Sequence, residues 1–501
     1  MFKQVSLIAL PKQDFLRPPG ALPILAAACE ANNAEYNVYD FNLWLKENVE
    51  PSIWQEIDDN WSDSFVASHM DSMWYKEFLK FLNIYVDKIM LSSPDLVSIS
   101  IFSDYGCFSA FELIQALNSR PDRNTFKIAI GGTGIRAKLK ILEFKEFCTF
   151  LLSEQKIDYF IYGEGEVAFS NLLKGIDYPG INNFDAVQID DLDSLPFPSY
   201  KKINPWDYKY LTTPELTITG SKGCVRKCTY CDVAKYWPKF KYRSGQNLAD
   251  EMWHYYKTLN ITNFEFSDSL INGSMKQFEE LNKAIIRYKS IDKDFTPSYK
   301  GQFICRSKNL MPESSYREMQ EAGCKYIYVG LESFSDPVRH SMEKKFSNKD
   351  FEWHLEMCGK YGIKNSLLML VGYPTETLDD HQQNLSALKK YQVYAHSGII
   401  SMIVFGYTAN ILADTPLYHQ MDELKITEEY SNGSEFLTFN WVSLKNPTLN
   451  LKERIRRWIE LVETANSLDY LMPRNKHILS SFINLLTQTS TKKKAFKLHP
   501  S

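Results

Sequence analysis

Short apolar runs alternate with helical repeats along the first part of the chain. Five stretches rich in apolar residues predict strands at 5–10, 35–39, 96–102, 127–130 and 157–162. Between them, the apolar residues at 21–32 and 108–118 recur with helical spacing. Strands that are apolar throughout and separated by helices are typical of a parallel sheet covered on both faces. The pattern therefore predicts an α/β domain over residues 1–180, with ligands expected at the carboxyl ends of its strands.

Two segments interrupt this alternation. Residues 43–92 are rich in Trp, Asp and Glu, with apolar residues at helical spacing near their end, and predict a helical insertion. Residues 181–210 are rich in proline and predict a linker to the next domain.

A second series of strands and helices follows the linker. Its six predicted strands are 215–219, 263–266, 299–304, 326–329, 366–371 and 399–405. Six strand–helix repeats predict a partial (β/α)6 barrel over residues 211–420, shorter than a closed eight-stranded barrel. The remaining residues, 421–501, predict a small and mostly helical region, because apolar residues between 451 and 465 follow the helical repeat.

Composition and charge exclude several classes of protein. The net charge is −4, which argues against a nucleic-acid partner, and no apolar run is long enough to span a membrane. The amino terminus has the pattern of a first strand rather than of a signal peptide. Nine cysteines without such a signal indicate a reducing compartment, so we expect a cytoplasmic protein.

Three of the nine cysteines are clustered and carry the chemistry. Residues 220–231 read GSKGCVRKCTYC, which places Cys224, Cys228 and Cys231 on one short loop after a predicted strand. Three soft thiolate ligands suit an iron–sulfur cluster. A structural zinc ion needs a fourth ligand nearby, and the next histidine, His254, is too distant along the chain. Three ligands would leave one iron of a 4Fe-4S cluster open.

The cysteine loop resembles the signature of the radical S-adenosylmethionine superfamily, CxxxCxxC with an aromatic residue, here Tyr230, before the third cysteine. The resemblance implies that S-adenosylmethionine chelates the open iron and is cleaved reductively to a 5′-deoxyadenosyl radical. Further segments match the family in order: KYRSGQNLADE at 241–251, SDS at 267–269, VGLES at 329–333, GYPTET at 372–377 and TPLY at 415–418. Together they cover residues 211–420.

The resemblance also implies which residues contact S-adenosylmethionine. They are Tyr230, Ser267, Asp268, Arg306, Glu332, Ser333 and Gly372. Arg306 is the expected partner of the methionine carboxylate, because a guanidinium group matches a carboxylate. A structural ion pair is the alternative role for Glu332 and Arg306.

Four segments of the first domain resemble the cobalamin-binding domain of cobalamin-dependent radical S-adenosylmethionine enzymes. They lie at 19–42, 95–100, 130–134 and 157–169, and the last two contain IGGTG and GEGE. The resemblance implies a Rossmann-like (flavodoxin-like) fold in which loops at the strand ends contact cobalamin. The residues it assigns to this contact are Ser103, Gly131, Gly132, Thr133, Gly163, Glu164 and Gly165.

The histidine motif of other cobalamin proteins, DxHxxG, does not occur in residues 1–180. The one histidine there is His69, inside the predicted insertion, so we expect cobalt to lack a histidine ligand. A near match at Asp379, His381 and Asn384 lies in the barrel half and is interpreted as chance. The competing hypothesis is a vestigial domain in which Trp residues of the insertion fill the former cofactor site. Those residues are Trp44, Trp54, Trp61 and Trp74.

The resemblance implies a cobalamin-dependent methyltransferase that methylates an unactivated carbon of a small molecule or peptide, with flavodoxin or ferredoxin as the reductant. Cyclisation, rearrangement or oxidation with the same cofactors is the main alternative. A methylthiotransferase would need a second cluster, for which Cys29, Cys107 and Cys148 are the available ligands. A cluster protein without catalysis is a further alternative. No residue is assigned as the catalytic acid or base.

Overall fold

The computed structural model describes residues 1–60, 72–103, 105–137, 145–208, 213–428 and 440–473. The chain divides into two compact units, Met1–Thr217 and Ile218–Ser501. No helix in these described ranges combines the length and the apolar character needed to cross a bilayer.

The first unit contains a parallel five-stranded sheet. Its strands are β1 (Gln4–Ala9), β2 (Glu35–Asp40), β3 (Leu96–Ser100), β4 (Lys127–Gly131) and β5 (Tyr159–Ile161). Their order is β2-β1-β3-β4-β5, and each neighbouring pair is parallel. This is the flavodoxin-like order, in which ligands bind at the carboxyl ends of the strands. The predicted parallel sheet is therefore confirmed, although β5 is shorter than expected.

Seven helices of the first unit lie in the described residues. They are α1 (Ala21–Ala31), α2 (Phe41–Asn48), α3 (Pro51–Asn60), α4 (Met73–Met90), α5 (Gly106–Asn118), α6 (Phe147–Ser153) and α7 (Gly165–Lys174). The predicted insertion corresponds to α2, α3 and α4, which pack into the hydrophobic core of this unit. Phe41 stacks on Tyr85 of α4 with ring centroids 4.5 Å apart, and Trp74 is buried. His69 and Trp61 lie outside the described residues.

The second unit is built on a six-stranded sheet. Its strands are β6 (Glu215–Ile218), β9 (Asn263–Phe266), β10 (Ser298–Phe303), β11 (Cys324–Glu332), β12 (Lys364–Val371) and β13 (Ile400–Thr408). The order is β13-β12-β11-β10-β9-β6, so successive strands of the chain are neighbours in the sheet. Four of the neighbouring pairs are parallel, from β9 to β13. The predicted partial (β/α)6 barrel is confirmed.

Helices cover this sheet. They are α8 (Val233–Tyr236), α9 (Gly245–Leu259), α10 (Met275–Ile291), α11 (Glu313–Ala322), α12 (Asp336–Ser341), α13 (Asn348–Tyr361), α14 (Leu378–His396), α15 (Pro416–His419) and α16 (Leu451–Ser467). All but α8 begin where a side chain caps the first turn or, for α11, directly after a proline. Capping boxes at Ser347 and Thr377 start α13 and α14.

Two short antiparallel pairs were not predicted. One joins β7 (Ser221–Lys222) to β8 (Lys241–Tyr242) and brackets the cysteine loop. The other joins β14 (Ile426–Glu428) to β15 (Trp441–Ser443). The region after residue 420 therefore contains a strand pair besides its helix. Trp441 anchors β15, because its side chain is fully buried and its indole N–H donates to the Ala409 carbonyl at 2.9 Å.

Candidate active site

The cysteine loop lies just beyond β6, at the carboxyl edge of the barrel, and three other segments hold it. The Thr229 N–H donates to the Met342 carbonyl at 3.1 Å, and the Leu417 N–H donates to the Thr229 carbonyl at 2.7 Å. The Thr229 hydroxyl is 2.7 Å from the Tyr373 hydroxyl. The loop is therefore fixed to the segments that follow β11, β12 and β13.

The three clustered thiols are free and lie close enough to influence one another. Burial raises the pKa of Cys224 and Cys228, and that of Cys231 to about 11. The thiols also act on each other, since Cys224 and Cys228 both contribute to raising the pKa of Cys231. Within the described ranges, no three His, Cys, Asp or Glu side chains gather tightly enough to hold a single metal ion. The donor set suits a 4Fe-4S cluster, whose thiolates each bind a different iron.

Two guanidinium groups lie beside these thiols. Burial lowers the pKa of Arg306, and the neighbouring charge of Arg226 lowers it further, whereas Cys224 opposes this effect. Arg306 donates to the carbonyls of Asn272 and Gly273, at 2.9 and 3.0 Å. The Nε atoms of Arg226 and Arg306 are buried without a hydrogen-bond partner in the described part of the chain. An anion bound between them would satisfy both groups.

Three further residues at this edge of the barrel carry an unsatisfied polar atom. They are Thr375 after β12, Thr408 at the end of β13, and Asn410. Buried polar atoms without partners are uncommon in folded proteins and here mark a place for a polar ligand. None of the three was assigned a role from the sequence.

The first unit has a separate cavity at the carboxyl ends of its strands. Its volume is about 170 Å³. Residues of α1, β3, β4, β5 and α7 line it, most of them apolar or glycine. Ser98 lies among them, and its hydroxyl is buried with no hydrogen-bond partner among the described residues. The cavity can therefore hold an apolar group that offers one polar atom to Ser98.

A sequence profile of the radical SAM superfamily matches residues 218–388. These residues form a radical SAM domain. The resemblance inferred from the cysteine loop is thus confirmed, and the match begins within β6 and ends within α14.

The curated relatives of the chain are distant in sequence. An uncharacterized methyltransferase of Pyrococcus horikoshii is 23% identical over 254 residues, which are 47% of this chain and 54% of the relative. The anaerobic magnesium-protoporphyrin IX monomethyl ester cyclase of Synechocystis is 22% identical over 275 residues, 52% of this chain and 53% of the relative. The matches thus span about half the length of these two relatives. A putative methylthiotransferase of Methanocaldococcus jannaschii is 24% identical over 319 residues, 59% of this chain and 65% of the relative.

Solved structures with the same fold cover most of the chain. The radical S-adenosylmethionine methyltransferase TsrM of Kitasatospora setae, with cobalamin and a 4Fe-4S cluster bound, has a TM-score of 0.65 and 17% identity, and the match covers 95% of this chain and 92% of that one. The cobalamin-dependent S-adenosylmethionine radical enzyme OxsB, with aqua-cobalamin and S-adenosylmethionine bound, has a TM-score of 0.61 and 14% identity. This match covers 91% of this chain and 66% of that one. The chain therefore has the fold of the cobalamin-dependent radical SAM enzymes, as the sequence predicted.

In the radical SAM domain, the residues after β9 divide between surface and interior. Ser267 is exposed, and its hydroxyl lies 2.9 Å from that of Thr219. Asp268 is buried and accepts hydrogen bonds from the Gly220 N–H at 2.8 Å and the Ser221 hydroxyl at 2.6 Å. Burial raises the pKa of this carboxyl to about 7. Asp268 thus ties the end of β9 to the start of the cysteine loop.

Tyr230 and Glu332 meet, together with a lysine that sequence reasoning missed. The Tyr230 hydroxyl donates to Glu332 Oε1 at 2.9 Å, and Lys344 Nζ donates to the same oxygen at 2.8 Å. Lys344 is 114 residues from Tyr230 in the chain and belongs to no recognisable motif, so only the fold reveals the contact.

Ser333 and Gly372 both contact the last helices of the barrel. The Ser333 side chain is fully buried and bonds Asn384 of α14 at 3.1 Å. Gly372 has φ of +78°, and a Cβ there would lie 2.6 Å from Arg454 of α16. Glycine is therefore required at 372 by the close approach of the last helix.

His381, which belongs to the near match to the cobalamin histidine motif, lies 2.9 Å from Glu460 of α16.

Four of the seven residues assigned to cobalamin line the cavity of the first unit: Gly131, Gly132, Gly163 and Gly165. The other three are not among its lining residues. The Thr133 hydroxyl is hydrogen-bonded to the Phe102 carbonyl, Glu164 accepts from the Ile189 N–H at 2.9 Å, and the Ser103 carbonyl accepts from the Gly106 N–H at 3.0 Å.

Proposed function

We propose that the protein is a radical SAM enzyme that holds a 4Fe-4S cluster through Cys224, Cys228 and Cys231 and cleaves S-adenosylmethionine there. The observation that carries this proposal is the position of three free thiols beside two guanidinium groups at the carboxyl edge of the barrel. When bound, the cluster supplies the electron that generates a 5′-deoxyadenosyl radical.

Residues of the barrel edge would bind the polar parts of S-adenosylmethionine. Arg306 and Arg226 would take its carboxylate, because their Nε atoms are buried, unpartnered and near Cys224. The unsatisfied atoms of Thr375, Thr408 and Asn410 offer further hydrogen bonds to the bound molecule. Ser333 takes no part in this proposal, since it is buried against α14.

We further propose that the first unit binds cobalamin. Its cavity of about 170 Å³ is smaller than the whole cofactor and fits an apolar ring such as that of the nucleotide tail. Ser98 would donate to a nitrogen of that ring, and the glycines at the strand ends would admit the bulk of the molecule. The described Trp residues of the insertion, Trp44, Trp54 and Trp74, are not among the lining residues, which argues against the vestigial alternative.

Methyl transfer to an unactivated carbon is the reaction we propose, since TsrM, of similar fold over nearly the whole chain, is a methyltransferase. A radical cyclisation or oxidation is the second candidate, because a cyclase is among the relatives. A methylthiotransferase is disfavoured. Its second cluster would need Cys29, Cys107 and Cys148, which are buried on three separate helices, and burial raises the pKa of Cys29 and Cys148 to about 12.

The deciding experiment is anaerobic reconstitution with iron, sulfide and hydroxocobalamin, followed by mass spectrometry of products from labelled S-adenosylmethionine and a strong reductant. We expect 5′-deoxyadenosine even without the true substrate. Methyl transfer adds S-adenosylhomocysteine as a second product. Substrate turnover with 5′-deoxyadenosine alone would favour the cyclisation or oxidation reading.

We also propose a cytoplasmic enzyme that takes its electrons from a flavodoxin or ferredoxin. Nine free cysteines, six of them buried and outside the cluster loop in sequence, suit a reducing compartment. Reduction of the reconstituted cluster by purified flavodoxin hydroquinone, followed by its visible spectrum, tests the partner directly.

A further inference from the structure

A buried lysine, Lys344, lies beside the thiols of the cysteine loop. Only 8% of its surface is exposed, and its Nζ is 2.9 Å from the hydroxyl of Tyr230, the residue before Cys231. Burial raises the pKa of Cys228, and Lys344 opposes this more strongly than any other charged neighbour. The carboxylate of Glu332 acts on the same thiol in the opposite sense and more weakly. Both ends of the ion pair therefore lie close enough to act on the loop, in opposite senses.

Glu332 and Tyr230 hold the lysine in place. The ammonium group of Lys344 donates to Glu332 Oε1 at 2.8 Å and to the Tyr230 hydroxyl at 2.9 Å. The Tyr230 hydroxyl also donates to Glu332, so each of the three side chains is hydrogen-bonded to the other two. Burial opposes the charge of Lys344, but Glu332 together with the thiols of Cys228 and Cys231 holds the pKa of Lys344 above its usual value. The set lies against the backbone of Gly330, where a Cβ would be 2.8 Å from both Glu332 Oε1 and Lys344 Nζ.

The backbone around this pair is strained. Glu332, Glu343 and Lys345 have φ of 65°, 57° and 52°, a region that residues with side chains adopt rarely. Such conformations persist only when the surroundings impose them, and they gather at functional sites. One of the three is a member of the ion pair and the other two flank Lys344, so the fold imposes an uncommon backbone conformation at both ends of the pair.

We propose that Lys344 raises the reduction potential of the 4Fe-4S cluster and that Glu332 limits how far it does so. This inference rests on the proposed function, since it requires the cluster to be held by the three thiols. One-electron reduction by an external donor breaks no bond and adds one negative charge next to Lys344. A fixed positive charge stabilises that added charge, whereas the carboxylate of Glu332 destabilises it.

Two substitutions therefore shift the potential in opposite directions. Lys344→Met removes the cation and lowers the midpoint potential, and Glu332→Gln leaves the cation unopposed and raises it. Lys344→Arg keeps the charge and stays nearer to the parent protein than Lys344→Met does. If Lys344 and Glu332 only supported the cysteine loop, Lys344→Met and Glu332→Gln would both loosen that loop. The midpoint potential would then shift in the same direction in both variants.

The measurement is an electron paramagnetic resonance titration of the reconstituted full-length protein against mediator potential, with iron and sulfide determined for each variant. Lys127→Met is the matched control, because it removes the lysine of an ion pair with Asp158 in the first unit, at 2.8 Å, and should leave the potential unchanged. If Lys344→Met loses its cluster, Glu332→Gln still decides the sign, and Lys344→Arg should stay near the potential of the parent protein.

Shifts of the same sign, or no shift in Glu332→Gln, overturn the role of Lys344. A parent protein that holds no 4Fe-4S cluster overturns the proposed function instead, so the two failures are distinguishable.

Discussion

At the scale of single residues, Asp268 couples the stability of the cysteine loop to pH. Burial raises its pKa from 3.8 to about 7, so between these values the folded protein keeps a proton that the unfolded chain has lost. Its contribution to stability is therefore fully present below about pH 4 and is lost as the pH rises through 7. We expect the free energy of unfolding of the apoprotein to fall across this window by a few kcal/mol, because each unit of pKa shift corresponds to about 1.4 kcal/mol.

Asp268→Asn removes the titrating group and should flatten this decline, at the cost of about 1 kcal/mol for the altered hydrogen bond to the Gly220 N–H. Urea unfolding at pH 5 and pH 8 measures the difference. An equal decline in both proteins would show that Asp268 is not the group responsible.

The cysteines give a second prediction at this scale. Cys224→Ala should abolish the charge-transfer absorption and the binding of about four irons, because each thiolate is one of three protein ligands. Cys305→Ala is the matched control. That thiol is fully buried, and burial raises its pKa to about 12, so it should not affect iron content. Iron analysis after anaerobic reconstitution decides, and iron loss in Cys305→Ala would refute a three-ligand site.

The sequence predicted these thiols because their spacing is local, and it predicted Arg306 and Tyr230 from motifs. It could not find Lys344, Arg226 or Ser98, whose roles depend on contacts between distant segments. Ser333 belongs to a matching motif, yet its side chain is buried and donates to Asn384, so its contact with S-adenosylmethionine stays a prediction. A motif specifies which residues are close in the chain, whereas the backbone decides which way each side chain points.

At the scale of elements, α16 stabilises the loop after β12 through a buried ion pair. Arg457 Nη1 is 2.9 Å from Glu376, and both side chains are at most 3% exposed. The adjacent Arg456 is half exposed and pairs with Glu453 and Glu460. Breaking a buried pair leaves an uncompensated charge, whereas an exposed pair contributes little.

We therefore expect Arg457→Met to lower the free energy of unfolding by about 3–5 kcal/mol. Arg456→Met, one residue away on the same helix, should cost less than about 1 kcal/mol. Urea denaturation of the two variants provides the comparison, and equal losses would mean that the burial of Glu376 does not control the stability of this loop.

The main strands were predictable because most are rich in apolar residues and alternate with helical segments. The short pairs β7–β8 and β14–β15 were not, since two or three residues carry no periodicity. Their pairing depends on tertiary contacts such as the burial of Trp441.

At the scale of the whole molecule, the retention of cobalamin by the full-length protein tests the cavity of the first unit. Gly165 lines the cavity of the first unit, and a Cβ there would have nothing within 4 Å. Gly165→Trp should therefore fold and fill the cavity, with loss of cobalamin retention in the full-length protein. Gly132→Trp is a poor test, because φ is +100° and a Cβ would lie 2.4 Å from the Ile101 carbonyl, so the variant should misfold.

Visible spectra after desalting from excess hydroxocobalamin report retention, and thermal unfolding without cofactor checks the fold. Gly359→Trp is the control in the second unit, where the nearest atom to a new Cβ is 4.0 Å away. Retention by Gly165→Trp equal to that of the control would remove this cavity from the cobalamin site.

The last helix also decides where the chain can be cut. The family profile ends at residue 388, yet the Ile403 N–H of β13 donates to the Leu471 carbonyl at 2.9 Å, and the Tyr470 hydroxyl donates to the Leu388 carbonyl at 2.8 Å. A fragment trimmed to the profile would lose β13 and α16, and Glu376 would remain buried without Arg457. Expressed fragments of the barrel, and fusions to its carboxyl side, should therefore extend through Leu471.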